Sequence, residues 1–375
     1  MSKIISPSYD PWEAYMDMEE FGKLTLSNIE FTTTYLCNMR CKHCAVGYTL
    51  DQKDPDALPI DVLIKRLDEI PHLRTFSITG GEPMLSKKSV ENYVLPLLKY
   101  AHERGVRTQI NSNLTLPIER YLLIAPYLDV LHISHNWGTV DEFIDTGFAM
   151  MERKPTREQR GKLFERMIIN SRTLAENGVQ VSAETMLNQK TLPFIEQIHH
   201  QVVNEMKCFR HEIHPMYPSD FASSLKTLSL EETRRAIHHV LDIRDEDTWM
   251  LFGTLPFYAC SVNKDDQLLL QRLYEAKNVT LRNDPDGRSR LNVNIFTGDV
   301  IVTDFGDTPP LGNILKDRLP DVFATWLQTD LAKSLNCHCS NVKCLGPNVL
   351  VKNMYYQDED FSKKKADGIF QTEEI

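Results

Sequence analysis

Between residues 27 and 219, short apolar runs alternate with longer amphipathic ones, and this alternation sets the fold class. The short runs predict strands at 28–36, 74–79, 106–111, 130–134, 179–186 and 208–214. The longer ones, at 59–70, 89–104, 117–128, 157–177 and 192–207, carry apolar residues at helical spacing. Gly105 and Gly178 follow two of those helices, where a residue of positive φ commonly ends a helix. Strands separated by such helices imply a parallel sheet with crossover helices. Six repeats fit an open (β/α)6 barrel and a doubly wound sheet equally, and periodicity does not choose between them.

After Pro218 the rhythm changes. Residues 228–244 predict a helix opened by Ser229, with Glu232 three residues on as its capping partner. Residues 291–295 alternate Leu, Asn, Val, Asn and Ile, and Thr297, Gly298 and Asp299 turn the chain into 300–303. That pattern predicts a β-hairpin. A helix over 319–335 leads into a group of cysteines, and the charged stretch 357–375 lacks an apolar face and predicts a solvated tail.

Charge and composition narrow the function classes. The net charge is −10 and no long basic run occurs, which argues against a nucleic-acid partner. No stretch approaches the roughly 18 apolar residues of a membrane span, and the start of the chain lacks the apolar core of a signal peptide. A cytoplasmic protein with no membrane partner is therefore expected, and there cysteines bind metal or do chemistry more often than they pair. The chain has eight. Three lie near residue 40 and three near residue 340, while Cys260 stands alone and Cys208 reads as core.

Cys37, Cys41 and Cys44 form C-x-x-x-C-x-x-C directly after the first predicted strand. Thiolates favour iron–sulfur clusters, zinc or copper(I). A closed 4Fe–4S cluster usually has four cysteine ligands, and no fourth cysteine is near. Three ligands on a cube leave one iron open, whereas a zinc site would recruit His43 as fourth ligand. The next strand runs into Thr79-Gly80-Gly81-Glu82-Pro83. In a parallel sheet functional groups gather at the carboxyl ends of strands, and both loops occupy such ends. The glycines let a ligand approach the backbone, and Glu82 supplies an acceptor for an ammonium group.

On the cysteine motif and this Gly-Gly-Glu-Pro loop, the sequence resembles the radical S-adenosylmethionine (SAM) superfamily over about residues 27–220. The resemblance implies a partial (β/α)6 TIM-like barrel with a 4Fe–4S cluster on Cys37, Cys41 and Cys44. It implies that SAM chelates the open iron, that residues 79–82 contact its amino group, and that an electron from a reductase or a flavodoxin- or ferredoxin-type donor cleaves it. A 5′-deoxyadenosyl radical would then abstract a substrate hydrogen. By the same resemblance His43 lies beside the adenine, Ser134 near the ribose and Asn111 along the site. The SAM-carboxylate arginine is left among Arg153, Arg157 and Arg160.

Cys337, Cys339 and Cys344 form C-x-C-x-x-x-x-C. With His338 they fit a zinc knuckle by ligand type. Together with the hairpin, Leu311-Gly312-Asn313-Ile314 and the helix bearing Trp326, they resemble the SPASM/twitch extension of peptide-modifying members, which carries auxiliary clusters. Thr303 and Asp304 stand where that extension has a cysteine, so at most one auxiliary cluster is expected, with Cys260 as candidate fourth ligand. The whole chain is similar to the CxCxxxxC-motif (YfkAB-type) proteins. The expected organisation is an N-terminal extension (1–26), the barrel (27–220), a smaller SPASM/twitch-like α+β domain (221–350) and a charged tail (351–375). A peptide, a protein side chain or a small metabolite all stay open as substrate. The competing classes are a non-catalytic iron–sulfur electron carrier and a zinc-stabilised interaction protein.

Overall fold

The computed structural model describes residues 4–304 and 308–366. Its six expected strands are β1 (Asn28–Thr32), β2 (Thr75–Thr79), β3 (Arg107–Ser112), β4 (Val130–Ser134), β5 (Gln180–Leu187) and β6 (Arg210–Pro215). They pair in chain order, all parallel. Two further parallel strands follow, β7 (Trp249–Gly253) and β8 (Val279–Arg282), so the sheet goes on past residue 220. Both are short, and β7 is buried throughout, so neither shows the alternation that marks a half-exposed strand.

The expected hairpin forms as β9 (Arg290–Asn294) and β10 (Asp299–Ile301), with a short β11 (Gly312–Asn313) beyond it. β9 pairs parallel to β1, which attaches the hairpin to the first edge of the sheet. The helix at Leu230–Ile243 has the expected capping box, Ser229 bonding the backbone of Glu232 and Glu232 bonding back. Thr156 and Gln159 form the same device ahead of Arg157–Glu176.

Alternation puts Phe31, Ile78, Ile110, Leu131, Val181 and Ile213 on the face covered by helices. The other face carries Glu30, Ser77, Asn111, His132, Glu184, Glu212, Arg282 and Arg290. It curls round a lumen. Asn111 on β3 reaches Glu30 on β1 at 3.2 Å, across β2, and Arg282 on β8 reaches Glu212 on β6 at 2.9 Å. Trp12 donates to Ser77 on β2 and clusters with Val130 on β4 and with Trp249 and Leu251 on β7. One side chain meeting three strands so far apart in the order requires a barrel-like sheet.

β8 and β9 do not pair, and the N-terminal segment lies along that seam. Asp10 bonds Arg282 at 2.7 Å, Glu13 accepts from the Asn283 backbone at 2.9 Å, and Asp17 accepts from Ser27 at 2.8 Å. The N-terminal extension is thus part of the packed barrel. Residues 357–366 also depart from the expected solvated tail: Phe361 is 1% exposed, packed edge-on against Tyr258 and Tyr356. One apolar residue in a charged run is too weak a pattern to reveal burial. Residues 367–375 lie outside the described residues. Among the described residues no helix is long and apolar enough to cross a membrane.

Truncating Trp12 leaves a cavity between three strands and an orphaned Ser77 hydroxyl. Trp12→Ala is expected to lower unfolding free energy by about 3–5 kcal/mol, measured by urea denaturation. A loss below about 1 kcal/mol would mean that the plug does not brace the sheet.

Candidate functional site

β1 ends at Thr32, four residues before the sequence pattern suggests, because residues 33–36 leave the ladder to meet the loop after β2. There Gly81 N–H donates to Thr34 at 2.9 Å and Glu82 N–H to Leu36 at 2.7 Å. A side chain on either glycine would strike this stem. A Cβ on Gly80 would lie 2.3 Å from the Thr34 carbonyl oxygen, and one on Gly81 2.2 Å from that of Leu36. Gly80 also has φ +130°, a conformation glycine tolerates. The chain's own backbone by itself requires glycine at both positions, whatever a ligand adds.

Glu82 differs from expectation too. It is fully buried, accepting from the Ser112 hydroxyl at 2.9 and 3.0 Å, from Asn113 N–H at 2.7 Å and from Met84 N–H at 3.2 Å. Its carboxylate ties the β2 loop to the end of β3 rather than standing free for an ammonium group. Burial pushes it up to about 7 against those hydrogen bonds.

Cys37, Cys41 and Cys44 sit together in this braced loop. Burial raises all three thiols, Cys37 to about 12, Cys44 to about 11 and Cys41 well above its ordinary value, with the neighbouring thiolates adding to Cys37 and Cys41. Arg40, the adjacent cation, is turned to the carbonyls of Cys37, Met39 and Asp51. The three sulfurs therefore need an external cation to ionise, which is what a soft metal centre supplies. Asn113, not singled out in the sequence, donates toward Cys37 Sγ at 3.8 Å and to Asn38 at 2.9 Å. The signal was available: it lies two residues beyond Asn111, on the same face.

His43 is buried beside Trp137, ring centroids 5.3 Å apart, and its Nε2 lies 3.4 Å from Asn136 Nδ2. Burial lowers it to about 4, so it is neutral. Ser134 ends β4 on the lumen face, while Asn111 is committed deeper, to Glu30 and Gln109. Thr79 caps β2, its carbonyl accepting from Thr33 N–H. Arg157 is exposed and paired with Asp141, Arg160 bonds the Ile144 carbonyl, and Arg153 is exposed. None of the three arginines is drawn into the lumen.

His135 and Trp137, which follow β4, are buried against Gln201 and Thr146. His199, on the helix Ile195–His200, is buried and stacked on His211 behind β6. Glu212 and His214 face the lumen, His214 reaching Thr254 at 3.1 Å. A strap after β6 closes over the cysteine loop. Asp220 accepts from Tyr48 N–H at 2.8 Å, and the Phe221 ring lies on Gly47.

The C-terminal cysteines converge as well. Cys339 and Cys344 face each other across a backbone bridge, Cys337 donates to Cys344, and the Ala366 N–H meets Cys339 Sγ at 3.4 Å. Cys260 joins the same buried cluster from the loop after β7. The Cys337 hydrogen bond, the Gly346 N–H and Arg288 lower Cys344 to about 7. His338 points away, to the Tyr15 hydroxyl at 3.0 Å. Four ligands on one zinc at about 2.3 Å must lie within about 4 Å of one another. Among the described residues no three Cys, His, Asp or Glu side chains converge in that way. A cavity of about 440 Å³ opens beside Cys344, between the N-terminal segment and β7–β8.

The family model described as the radical SAM superfamily matches residues 31–190, and one described as a YfkB-like domain matches 216–366. The chain is 73% identical over 362 residues to putative protein YfkA of Bacillus subtilis (strain 168), covering 96% of this chain and 97% of that one. The chain belongs to the radical SAM superfamily. Members of this superfamily are enzymes. The radical SAM fold is matched among solved structures by Streptococcus suis SuiB. Bound to S-adenosylmethionine, SuiB has a TM-score of 0.58 at 16% identity, over 90% of this chain and 74% of that one. Bound to its precursor peptide SuiA, it scores 0.60 at 15% identity, over 89% and 74%.

Because Gly81 is held against the stem of the cysteine loop, Gly81→Val is expected to cost iron as well as SAM binding. Anaerobic reconstitution should leave the first cluster at less than about half of parental iron, given a backbone clash that must displace the loop. Full iron with weakened SAM binding would return the glycine to a ligand-contact role.

Proposed function

We propose that this chain binds a 4Fe–4S cluster through Cys37, Cys41 and Cys44 and cleaves SAM on it reductively. The observation that carries the reading is three half-buried thiols, without a fourth cysteine nearby, held at the end of β1 by the Gly81–Glu82 backbone. Three soft donors that burial keeps neutral fit a cluster that discharges them and keeps one iron open. Such a cluster with SAM supplies one-electron cleavage to a 5′-deoxyadenosyl radical that takes a hydrogen atom from substrate. The chain's own residues brace and shield: Glu82 fixes the loop, His43, Trp137 and Asn136 line its flank, and the Asp220–Phe221 strap limits solvent at Cys44. Thr79, Ser134 and Asn111 remain the polar groups we assign to SAM and the adjoining lumen.

Cys337, Cys339, Cys344 and Cys260 we assign to one auxiliary cluster, on their common burial and the orientation of His338 away from them. The likeness of fold to SuiB, which binds a precursor peptide, supports a peptide or protein as substrate. A reductase or a flavodoxin- or ferredoxin-type protein would deliver the electron. The zinc-stabilised reading loses support because His338 is turned to the Tyr15 hydroxyl and His43 packs on Trp137, so neither completes a four-ligand set with its cysteines.

Cys41→Ala should abolish 5′-deoxyadenosine formation with dithionite, since two thiolates do not hold the cube. Activity within about tenfold of the parent would defeat the assignment, because loss of a cluster ligand cannot be that mild. For the second site, anaerobically reconstituted parent should hold about eight irons and the Cys337→Ala/Cys339→Ala variant about four, as two cubes and one require. Zinc in the fresh protein, or iron unchanged by the double variant, would refute it. An unaltered auxiliary spectrum in Cys260→Ala would remove only the fourth ligand.

A further inference from the structure

The lumen face next to the hairpin carries a charge imbalance. Glu30 on β1 and Asp286 in the β8–β9 connection both act on Asp304 after β10, and Arg290 is the cation that opposes them there. Arg290 is bonded to Asp286 at 2.6 Å and stands 4.0 Å from Glu30. Asp304 has no ion pair among the described residues. Three carboxyl groups face one guanidinium, Glu30 and Asp286 buried and Asp304 half-buried, so the place stays acidic even with one of them protonated. Burial pushes Asp286 to about 6, with Asp284 adding to it and Arg290 opposing, and burial with the charges of Glu30 and Asp286 pushes Asp304 to about 8.

A second observation is independent of the acids. Asn292 is 1% exposed, and its Nδ2 donates to Asp286 at 3.4 Å and to the Val302 carbonyl at 3.2 Å. Its Oδ1 has no partner. Asn292 is the register neighbour of Glu30 across β1 and β9, so this orphaned acceptor lies on the acidic patch. A buried carbonyl without a donor costs about 1–3 kcal/mol, and it is here surrounded by further acceptors. What the patch lacks is a donor bearing positive charge.

We propose that Glu30, Asp286, Asp304 and the Asn292 carbonyl form a recognition site for an ammonium or guanidinium group of the substrate. The occupant is an organic cation rather than a metal, because no three carboxylates converge to ligate one ion among the described residues. Hydrogen bonds from a substituted ammonium or guanidinium reach the spread acceptors that direct ligation does not. Glu30 and Asn292 lie two residues before the strand ends at Thr32 and Asn294, about 7 Å below the end of the strand that leads into the cysteine loop, by strand rise. That depth suits a substrate side chain anchored beneath the reacting centre. Calling the group substrate rests on the SAM-cleaving reading, whereas the cation site itself does not.

The test uses the anaerobically prepared full chain without SAM or reductant. Shifts of the thermal midpoint are read with n-butylammonium and ethylguanidinium, with n-butanol as neutral match and Mn²⁺ as metal control, at fixed ionic strength. The organic cations should raise the midpoint, and n-butanol and Mn²⁺ should not. At pH 9, where Asp304 is ionised, Asp304→Asn should melt higher than the parent without cation, because repulsion is relieved, and need roughly tenfold more cation for the same shift, as loss of a charge-assisted bond implies. Glu30→Gln should weaken the response likewise, and serves if Asp304→Asn fails to fold. No shift beyond that of n-butanol, a response to Mn²⁺ alone, or variants less stable than the parent with an unchanged response would overturn the site. Formation of 5′-deoxyadenosine by the same preparation is measured separately, so either reading can fail without the other.

Discussion

Two backbone hydrogen bonds, from Gly81 to Thr34 and from Glu82 to Leu36, hold the cysteine loop against the end of the neighbouring strand. They form only if nothing separates the two backbones, and that is why the loop after β2 has glycine at both close positions. Glu82 extends the constraint sideways by gathering donors from the end of β3. The three thiols are thus carried on a loop clamped to its neighbours, which is the preorganisation a chelating site needs. An unclamped loop of this length would lose much of its metal affinity to conformational entropy.

The clamp depends in turn on a sheet that curls. A parallel sheet buried on both faces is usually apolar on both, yet the lumen here is polar and charged. It is tolerated because charges are paired: Arg210 lies 2.5 Å from Glu212, which also meets Arg282 and His132. That pairing holds Glu212 well below the usual carboxylate range despite burial. Removing one member would strand another in a dry environment, a larger penalty than the pair's own worth. Trp12 and Asp10 complete the closure from outside the sheet, so the first residues of the chain are structural partners of β7 and β8. Around Glu30, Asp286 and Asp304, by contrast, the acidic groups outnumber the one guanidinium, Arg290, set among them.

The C-terminal cysteines obey a similar economy of space. Gly346, at φ +79°, lets the chain turn back on Cys337, and a Cβ there would lie 3.0 Å from the Cys337 sulfur. Cys260 arrives from a loop nearly 80 positions earlier and residues 361–366 from the end of the described chain, so three separate segments enclose the group. Its connection to the N-terminal segment, through Tyr15 and His338, ties both cysteine sites to one framework.

The sequence by itself determined the six strand–helix repeats, the hairpin, the Ser229–Glu232 capping box and both cysteine groups. Each rests on local chemistry: period, cap, turn residue or ligand spacing. It also determined that Glu212 and His214 share a face apart from His211, since strand alternation is a property of the backbone. Only the tertiary structure decided that Glu82 is spent within the chain, that the glycines serve the Leu36 and Thr34 carbonyls, and that His338 turns from the cysteines while Cys260 turns toward them. It likewise decided the burial of His199 and Phe361, and the parallel pairing of β7 and β8. These are outcomes of contacts between residues tens to hundreds of positions apart, and nothing in a local window encodes which partner a side chain will meet.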